Sequence, residues 1–160
     1  MVTITNSKPK TNIRHIEELE RYVNLVFPEQ YKAHLLRFNG GRPRPNIFTF
    51  LENGTLNSSD VHWFLAICDG TWESLRWNID VLKINQKRMP SHVLPIGDDS
   101  GGNAICISCR GRDSGMVYFW DHEREVDYRV SDDGDYSNLY PIAQSFNEFL
   151  EHLVTEREVA

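Results

Sequence analysis

A strand–turn–strand pattern near the middle of the chain places the strongest limit on its fold. Residues 93–96 and 104–107 are apolar, and residues 97–102 between them are acidic and rich in glycine. Two apolar runs around such a segment are typical of a β-hairpin. Asp98 and Asp99 are able to cap the turn through their own side chains. The pattern predicts either a tight, self-capped hairpin or an acidic surface feature that contacts a partner.

Further strands are predicted on both sides of this hairpin, because short segments rich in β-branched and aromatic residues recur along the chain. In the last clear strand, Tyr118 and Trp120 point to the face opposite Val117 and Phe119. The predicted strands cover residues 46–51, 61–68, 93–97, 104–109 and 116–121, with a weaker candidate at 123–130. Loops or turns are expected at 42–45, 52–60, 69–71, 111–115 and 131–135.

Helices are predicted where apolar residues recur at spacings of three and four. Two helices near the N-terminus meet at Phe27-Pro28, a third covers residues 72–82, and a fourth follows a capping box formed by Ser145 and Glu148. This order of elements predicts an α+β fold. We expect a single domain in which N-terminal, central and C-terminal helices pack against one mixed or antiparallel β-sheet.

Length and charge limit the organisation and the partners. Residues 1–12 are polar and predict a flexible N-terminal tail, and residues 13–156 are enough to form one domain with a substantial core. The net charge of −6 argues against non-specific binding of nucleic acid, which needs a basic face. It favours electrostatic steering toward a basic partner.

Cysteine usage and hydropathy predict the compartment. The chain has three cysteines, an odd number without the spacing of a disulfide framework, which favours a reducing environment. The first eleven residues lack the apolar centre of a signal peptide. The longest apolar run, residues 63–68, is too short to cross a bilayer. We therefore expect a cytoplasmic protein that does not bind membranes.

No pattern in the sequence predicts catalysis. Cys106 and Cys109 have C-x-x-C spacing, but strand alternation would send the two thiols to opposite faces, and no second pair completes a zinc site. Residues 121–125 lack the helical His-Glu-x-x-His spacing. Residues 132–135 lack the ligand pattern of a calcium loop. We expect no enzyme activity, metal or cofactor, although a spatial cluster of the scattered histidines stays open.

The features that favour function are acidic and aromatic residues on predicted turns and strand ends. Aromatic side chains inside a charged rim are typical of protein interfaces. The alternative is that the acids only cap turns and the aromatic rings only fill the core. The candidate partner-binding residues are Asp98, Asp99, Tyr118, Trp120, Asp121, Glu123, Asp132, Asp133 and Asp135.

Three segments resemble the signature of the SMI1/KNR4 family, also called the SUKH superfamily. Residues 27–43 contain Phe-Pro-x-x-Tyr, a leucine pair and Asn-Gly-Gly, although Phe27 stands where the family more often has leucine. Residues 94–103 with 115–123 resemble the central block, and residues 145–150 resemble the closing helix. The motif positions with structural roles are Pro28, Tyr31, Leu35, Asn39, Gly40, Gly41, Gly97, Gly101 and Gly102.

The resemblance implies a fold and a set of functions. Members share one α+β fold, and many bacterial members are immunity proteins that neutralise a cognate toxin domain, often a nuclease or a deaminase, by stoichiometric blocking. The expected partner is thus a basic, nucleic-acid-acting toxin domain. Fungal members are regulatory scaffolds, so an interaction scaffold is the alternative, and an enzyme or small-ligand binder is less favoured. The family brings no catalytic residues, and the oligomeric state stays open.

Overall fold

The computed structural model describes residues 1–159 and confirms the α+β fold class. The helices are α1 (Ile13–Val23), α2 (Glu29–Arg37), α3 (Leu75–Ile79), α4 (Phe146–Glu151) and α5 (Glu156–Val159), and Asp80–Asn85 continues α3 as a π-helical turn. The strands are β1 (Thr3–Thr5), β2 (Arg42–Arg44), β3 (Ile47–Glu52), β4 (Thr55–Asp60), β5 (Trp63–Phe64), β6 (Val93–Asp98), β7 (Ala104–Ser108), β8 (Val117–Trp120) and β9 (Leu139–Ala143).

The centre of the molecule is a five-stranded antiparallel sheet in the order β5-β6-β7-β8-β9. The hairpin predicted in the middle of the chain forms its two central strands, β6 and β7. Every residue of β7 is buried, so residues 104–107 are a continuous apolar run and lack the alternation of a half-exposed strand. Two smaller antiparallel sheets, β1-β2 and β3-β4, lie outside this central sheet.

Both faces of the central sheet are covered. The main core joins one face to α1, α2, α3, α4 and β3, and includes Val117 and Phe119. A smaller core on the other face consists of Met89, Val93, Ala104, Cys106, Tyr118, Trp120 and Leu139. The predicted alternation in β8 is therefore confirmed. The two thiols predicted to diverge also do so, since Cys106 lies in the smaller core and Cys109 in the main core.

Capping residues set the helix boundaries. The side chains of Asn12, Ser74 and Ser145 each accept a hydrogen bond from a backbone N–H in the first turn of the helix that follows. The helix predicted from residue 72 therefore begins at Leu75. At the other end of α1, Asn24 adopts a left-handed conformation, which turns Leu25 into the core and leaves Val26 exposed.

The strands of the N-terminal half differ from the prediction. Thr3–Thr5 lies in the segment predicted as a tail and pairs with Arg42–Arg44, where a loop was predicted. Proline at position 43 does not prevent this pairing, because a short edge strand leaves a missing N–H donor unused. The half-buried side chain of Ile4 packs against the main core. The domain boundaries at residues 13 and 156 stay a prediction.

The predicted turn at 52–60 is wrong. Asn53 and Gly54 have positive φ and form a tight turn, and the polar segment Thr55–Asp60 pairs with β3. Because β4 is an edge strand with mostly exposed side chains, hydropathy does not reveal it. Of the strand predicted over 61–68, only Trp63–Phe64 forms. The weaker strand at 123–130 is also absent, and these mostly exposed residues form a loop.

The Asn39-Gly40-Gly41 motif ties three distant segments together. The Asn39 side chain is buried, donates to the carbonyls of Pro9 and Ile67, and accepts from the Ile67 N–H. Pro28 occupies the N-cap of α2, and Tyr31 and Leu35 are buried on that helix. Helix α2 ends at Arg37 with Phe38 in an extended conformation, so the Asn-Gly-Gly segment follows the helix and is not its left-handed cap.

Gly41 offers a test of this close packing. Its φ is +118°, and a Cβ atom there would lie 2.5 Å from the Thr5 carbonyl oxygen. Gly54 also has a positive φ, but a Cβ atom there would meet no atom within 4 Å. We expect Gly54→Ala to lower the free energy of unfolding by about 1 kcal/mol through backbone strain alone. Gly41→Ala should lower the free energy of unfolding, measured with urea, clearly more than Gly54→Ala does. Equal losses in the two variants would contradict the close packing of Gly41 against Thr5.

Candidate functional site

The turn between β6 and β7 is built around the buried carboxylate of Asp99. This residue is 6% exposed. Its Oδ1 accepts from the N–H groups of Gly101 and Asn103 at 2.9 and 2.8 Å, and its Oδ2 accepts from Asn103 Nδ2 at 2.9 Å and Ser59 Oγ at 2.8 Å. The self-capped hairpin is therefore the correct alternative for Asp99. Its assignment as an accessible partner-binding residue rested on exposure and is corrected.

Asp98 has a different environment, since adjacent side chains in a strand point to opposite faces. Its side chain is 30% exposed; Oδ1 accepts from the Trp63 N–H at 3.1 Å and lies 3.8 Å from His62 Nδ1. Burial, with smaller contributions from Asp99 and Asp60, raises the pKa of Asp98 to about 7. The carboxyl group thus lacks a strong cationic partner.

Hydrogen bonds join this turn to two neighbouring loops. Ser100 donates through its N–H and its hydroxyl to Asp60 at 3.1 and 2.6 Å. The Asn103 Oδ1 accepts from the His122 N–H at 3.1 Å, and the ring of His122 packs beside Gly102. Asp121 accepts from the Glu123 N–H at 3.0 Å. We call the resulting surface the turn face, consisting of Asp60, Asp98, Ser100, Asp121 and Glu123.

Two aromatic residues of the predicted interface lie in the smaller core. Tyr118 is 4% exposed and donates to Asp113 Oδ2 at 2.7 Å; Trp120 is 2% exposed and donates through Nε1 to the Arg88 carbonyl at 3.1 Å. Their assignment to an exposed interface is therefore corrected. Strand alternation predicted which way they point, but it gave no sign that Leu82, Met89 and Tyr136 cover that face.

The remaining predicted acids lie at the opposite end of the sheet. Asp133 accepts from the N–H of Ser91, just before β6, at 2.8 Å. Because β6 runs from Val93 to Asp98, about 17 Å separates this end from the turn face. Asp132 and Asp135 cap their own loop through Gly134 and Ser137. The acidic set predicted from the sequence is thus two separate groups.

Charge balance distinguishes the two ends. Three arginines lie in the region of Asp133: Arg129 pairs with Asp127 at 2.9 Å, Arg88 pairs with Glu125 at 2.7 Å, and Arg110 donates to Ser91. Within residues 1–159, Asp132, Asp133 and Asp135 themselves have no lysine or arginine at ion-pair distance. On the turn face, Asp121 pairs with Arg124 at 3.7 Å. Within residues 1–159, Asp60 and Asp98 have no lysine or arginine at ion-pair distance. The turn face therefore has fewer cationic side chains beside its acids than the opposite end of the sheet has.

Comparison with protein-family models identifies the family of the chain. The model of the SMI1/KNR4 family, SUKH-1, matches residues 11–152. The chain belongs to the SMI1/KNR4 family. Proteins of this family are of the immunity type and are non-enzymatic. Among curated proteins, no significant match to this chain was found.

The SMI1/KNR4 motif glycines of the central block support the turn face. Gly101 supplies a backbone donor to Asp99, and Gly102 lies against His122. Gly97 pairs with Phe64 in β5, and a Cβ atom there would lie 3.0 Å from the Trp63 carbonyl oxygen. These positions hold β5, with Trp63, close to the acidic turn.

A second polar cluster, which the sequence did not reveal, lies at the other end of the sheet. Asp113 Oδ2 accepts from the hydroxyls of Tyr118 and Tyr136 at 2.7 and 2.6 Å, and His92 Nε2 is 2.5 Å from the Tyr136 hydroxyl. Ser108 donates to the other carboxylate oxygen of Asp113. Because these groups satisfy one another's hydrogen-bonding requirements, the cluster holds the 111–115 turn against the smaller core.

Metal ligation and membrane insertion were also considered. No group of three or more histidine, cysteine, aspartate or glutamate residues within the described chain could hold a metal ion. Likewise, none of the helices in residues 1–159 has the length and apolar character needed to cross a membrane.

The raised pKa of Asp98 predicts a pH dependence of stability. The folded-state pKa of about 7 exceeds the ordinary value of 3.8, so between these values the folded chain binds more protons than the unfolded chain. The free energy of unfolding therefore falls as pH rises through this window. Asp98→Asn replaces the titratable carboxyl group with a neutral amide, whose oxygen is still able to accept from the Trp63 N–H. We expect its stability relative to wild type to increase from pH 4 to pH 7 in urea unfolding; a constant difference would contradict this.

Proposed function

We propose that this protein is an immunity protein that binds a cognate toxin domain, a nuclease or a deaminase, and neutralises it by stoichiometric blocking. Membership of the SMI1/KNR4 family supports the immunity class. The observation that carries the proposal is the turn face, where, within residues 1–159, neither Asp60 nor Asp98 has a lysine or arginine at ion-pair distance. A basic partner would also ionise Asp98 fully, because nearby positive charge lowers its pKa from about 7. This surface lies on the ends of central strands, so its carboxylates are held in position before binding.

The expected partner has the opposite charge. Enzymes that act on nucleic acids carry basic surfaces, because those surfaces contact phosphates. A protein with a net charge of −6 is steered toward such a surface, and fixed carboxylates on the turn face are able to take the place of phosphates there. Blocking of this kind needs no catalytic group, metal or cofactor in the immunity protein.

The proposal includes a cytoplasmic site of action. A toxin that cuts or deaminates nucleic acid acts where nucleic acid is found, so its inhibitor has to be in the same compartment. The three cysteines are free thiols, two of them buried, which is compatible with a reducing environment.

Affinity capture tests the proposal and identifies the partner. The tagged chain is incubated with lysate of the source cells at low and at high salt, and bound proteins are identified by mass spectrometry. We expect one dominant protein with a toxin-like C-terminal domain, retained better at low salt. Co-expression of that domain with the chain should then restore growth of a host that the domain alone kills. Capture of several unrelated signalling proteins would instead favour the scaffold alternative.

A further inference from the structure

Two tryptophan side chains meet at the surface beside the turn face. Trp63 belongs to β5 and Trp72 to the turn before α3, and their ring centroids lie 5.4 Å apart with the planes at 68°. Trp72 is 48% exposed, and Trp63 is partly exposed. We call these two residues the tryptophan patch. Exposed aromatic rings are favoured at the centres of protein interfaces, since they bury much area with few rotatable bonds.

Carboxylates lie on both sides of the tryptophan patch. On one side, Asp98 accepts from the Trp63 N–H, and Asp60 is joined to the same turn through Ser100. On the other side, Glu73 follows Trp72 in the sequence, and its Oε2 is buried without a hydrogen-bond partner within the described residues. The exposed Asp69 lies in the turn before it. The patch is therefore aromatic in the middle and acidic at its borders.

The cations near the patch do not balance this charge. Lys8 is 3.8 Å from the other carboxylate oxygen of Glu73, and the Arg42 guanidinium stacks 5.2 Å from the centre of the Trp63 ring. Arg76 lines a cleft with Asp69 and pairs with Asp80 at 3.8 Å, and His62 lies 3.8 Å from Asp98. The four carboxylates at the borders thus outnumber the lysine and arginine side chains near them. The stacking of Arg42 leaves Trp72 as the more accessible ring. Charge complementarity favours a cationic occupant over an anionic one.

We propose that the tryptophan patch is the anchor of the interface and takes an arginine side chain of a basic protein partner. The planar guanidinium stacks on the Trp72 ring, while its N–H groups face the carboxylates at the border. Arginine suits this arrangement better than lysine, because its flat, delocalised cation stacks on an indole and still donates from its edge. The inference rests on the proposed function in one respect: the identification of this basic partner as a toxin domain.

The site can be tested without the partner. The titrant is N-acetyl-arginine amide, and its neutral, nearly isosteric control is N-acetyl-citrulline amide. Indole N–H signals of the ¹⁵N-labelled chain report the result, and the signal of buried Trp120 is an internal reference for an intact core. We expect saturable shifts of the Trp63 and Trp72 signals with the arginine compound alone. Equal shifts with citrulline, or no saturable shift, would overturn the proposal.

Two variants give a matched comparison. Trp72→Ala removes the exposed ring of the patch, and Trp77→Ala removes a ring on α3 that is 40% exposed. We expect Trp72→Ala to weaken binding of the arginine compound about fivefold or more, as judged by the Trp63 signal, and Trp77→Ala to leave it unchanged. An unchanged Trp120 signal verifies that each variant is folded. Equal effects of the two variants would contradict the assignment of the patch.

The two proposals can fail separately. If the arginine compound binds as expected but no toxin domain is neutralised, the patch stands and the immunity function does not. If a toxin domain is neutralised and Trp72→Ala changes neither its affinity nor the arginine titration, the immunity function stands and the patch does not.

Discussion

Asp99→Ala is expected to lower the free energy of unfolding by about 3 kcal/mol, because the substitution leaves several buried donors without an acceptor. The carboxylate of Asp99 accepts four hydrogen bonds between 2.8 and 2.9 Å, from the backbone of its own turn, from Asn103 and from Ser59 of β4. One change therefore weakens both the β6–β7 turn and its connection to the β3–β4 hairpin.

Urea unfolding of purified variants measures this effect. Asp132→Ala is the matched control, since Asp132 also caps a backbone N–H but lies on an exposed loop. This control substitution should lower the free energy of unfolding by less than about 1 kcal/mol. If Asp99→Ala were as stable as this control, the buried network would not hold the turn. A lysine at position 99 is for the same reason unsuitable for testing the interface, because it would combine a folding defect with a change of surface charge.

Removal of negative charge from the turn face is expected to slow association with the toxin domain about tenfold at low salt. The double variant Asp98→Asn with Glu123→Lys makes this change with little disturbance of the fold. Asparagine keeps the acceptor for the Trp63 N–H, and the Glu123 side chain is exposed. Stopped-flow or surface-binding kinetics at several salt concentrations would measure the association rate, at about pH 8.5, where Asp98 with its pKa of about 7 is ionised.

The control carries the same change of charge elsewhere. Asp132→Asn with Glu17→Lys alters an exposed loop and the exposed side of α1, and both positions lie toward the opposite end of the sheet, with Glu17 near Cys109 and Arg110. It should affect the association rate much less than the turn-face variant does. Equal slowing by the two double variants would mean that only net charge matters, and the turn face would then lose its place as the interface.

Periodicity and capping were sufficient to predict much of the fold. The apolar spacing gave α1, α2 and α4, and the continuous apolar runs gave β6, β7 and β8. Several strands were not predicted. Strand β4 is polar because it is an edge strand, so its pairing depends on the Asn53-Gly54 turn and on β3. Strand β9, at the edge of the central sheet, was assigned to no element. Pairing of Thr3–Thr5 with Arg42–Arg44 joins residues about forty positions apart and has no local pattern.

The candidate site was predicted only in part, for a related reason. Sequence showed that Asp98 and Asp99 lie in one turn, but burial of Asp99 depends on Ser59 of another hairpin. Tyr118 and Trp120 were assigned to the surface because the side chains that cover them, among them Leu82, Met89 and Tyr136, come from segments that share no sequence pattern with β8. The contact between Trp63 and Trp72 brings together a strand and a helix start that share no motif. Such contacts are set by the tertiary fold.

The central claim is stoichiometric blocking, and titration of a toxin domain's activity tests it most directly. The toxin domain identified by affinity capture is held at a fixed concentration above its dissociation constant, and its activity on its substrate is measured as the purified chain is added. We predict a linear fall to zero activity at one chain per toxin domain. Full activity in excess chain would contradict neutralisation, and complete loss far below equivalence would indicate catalytic inactivation and contradict blocking.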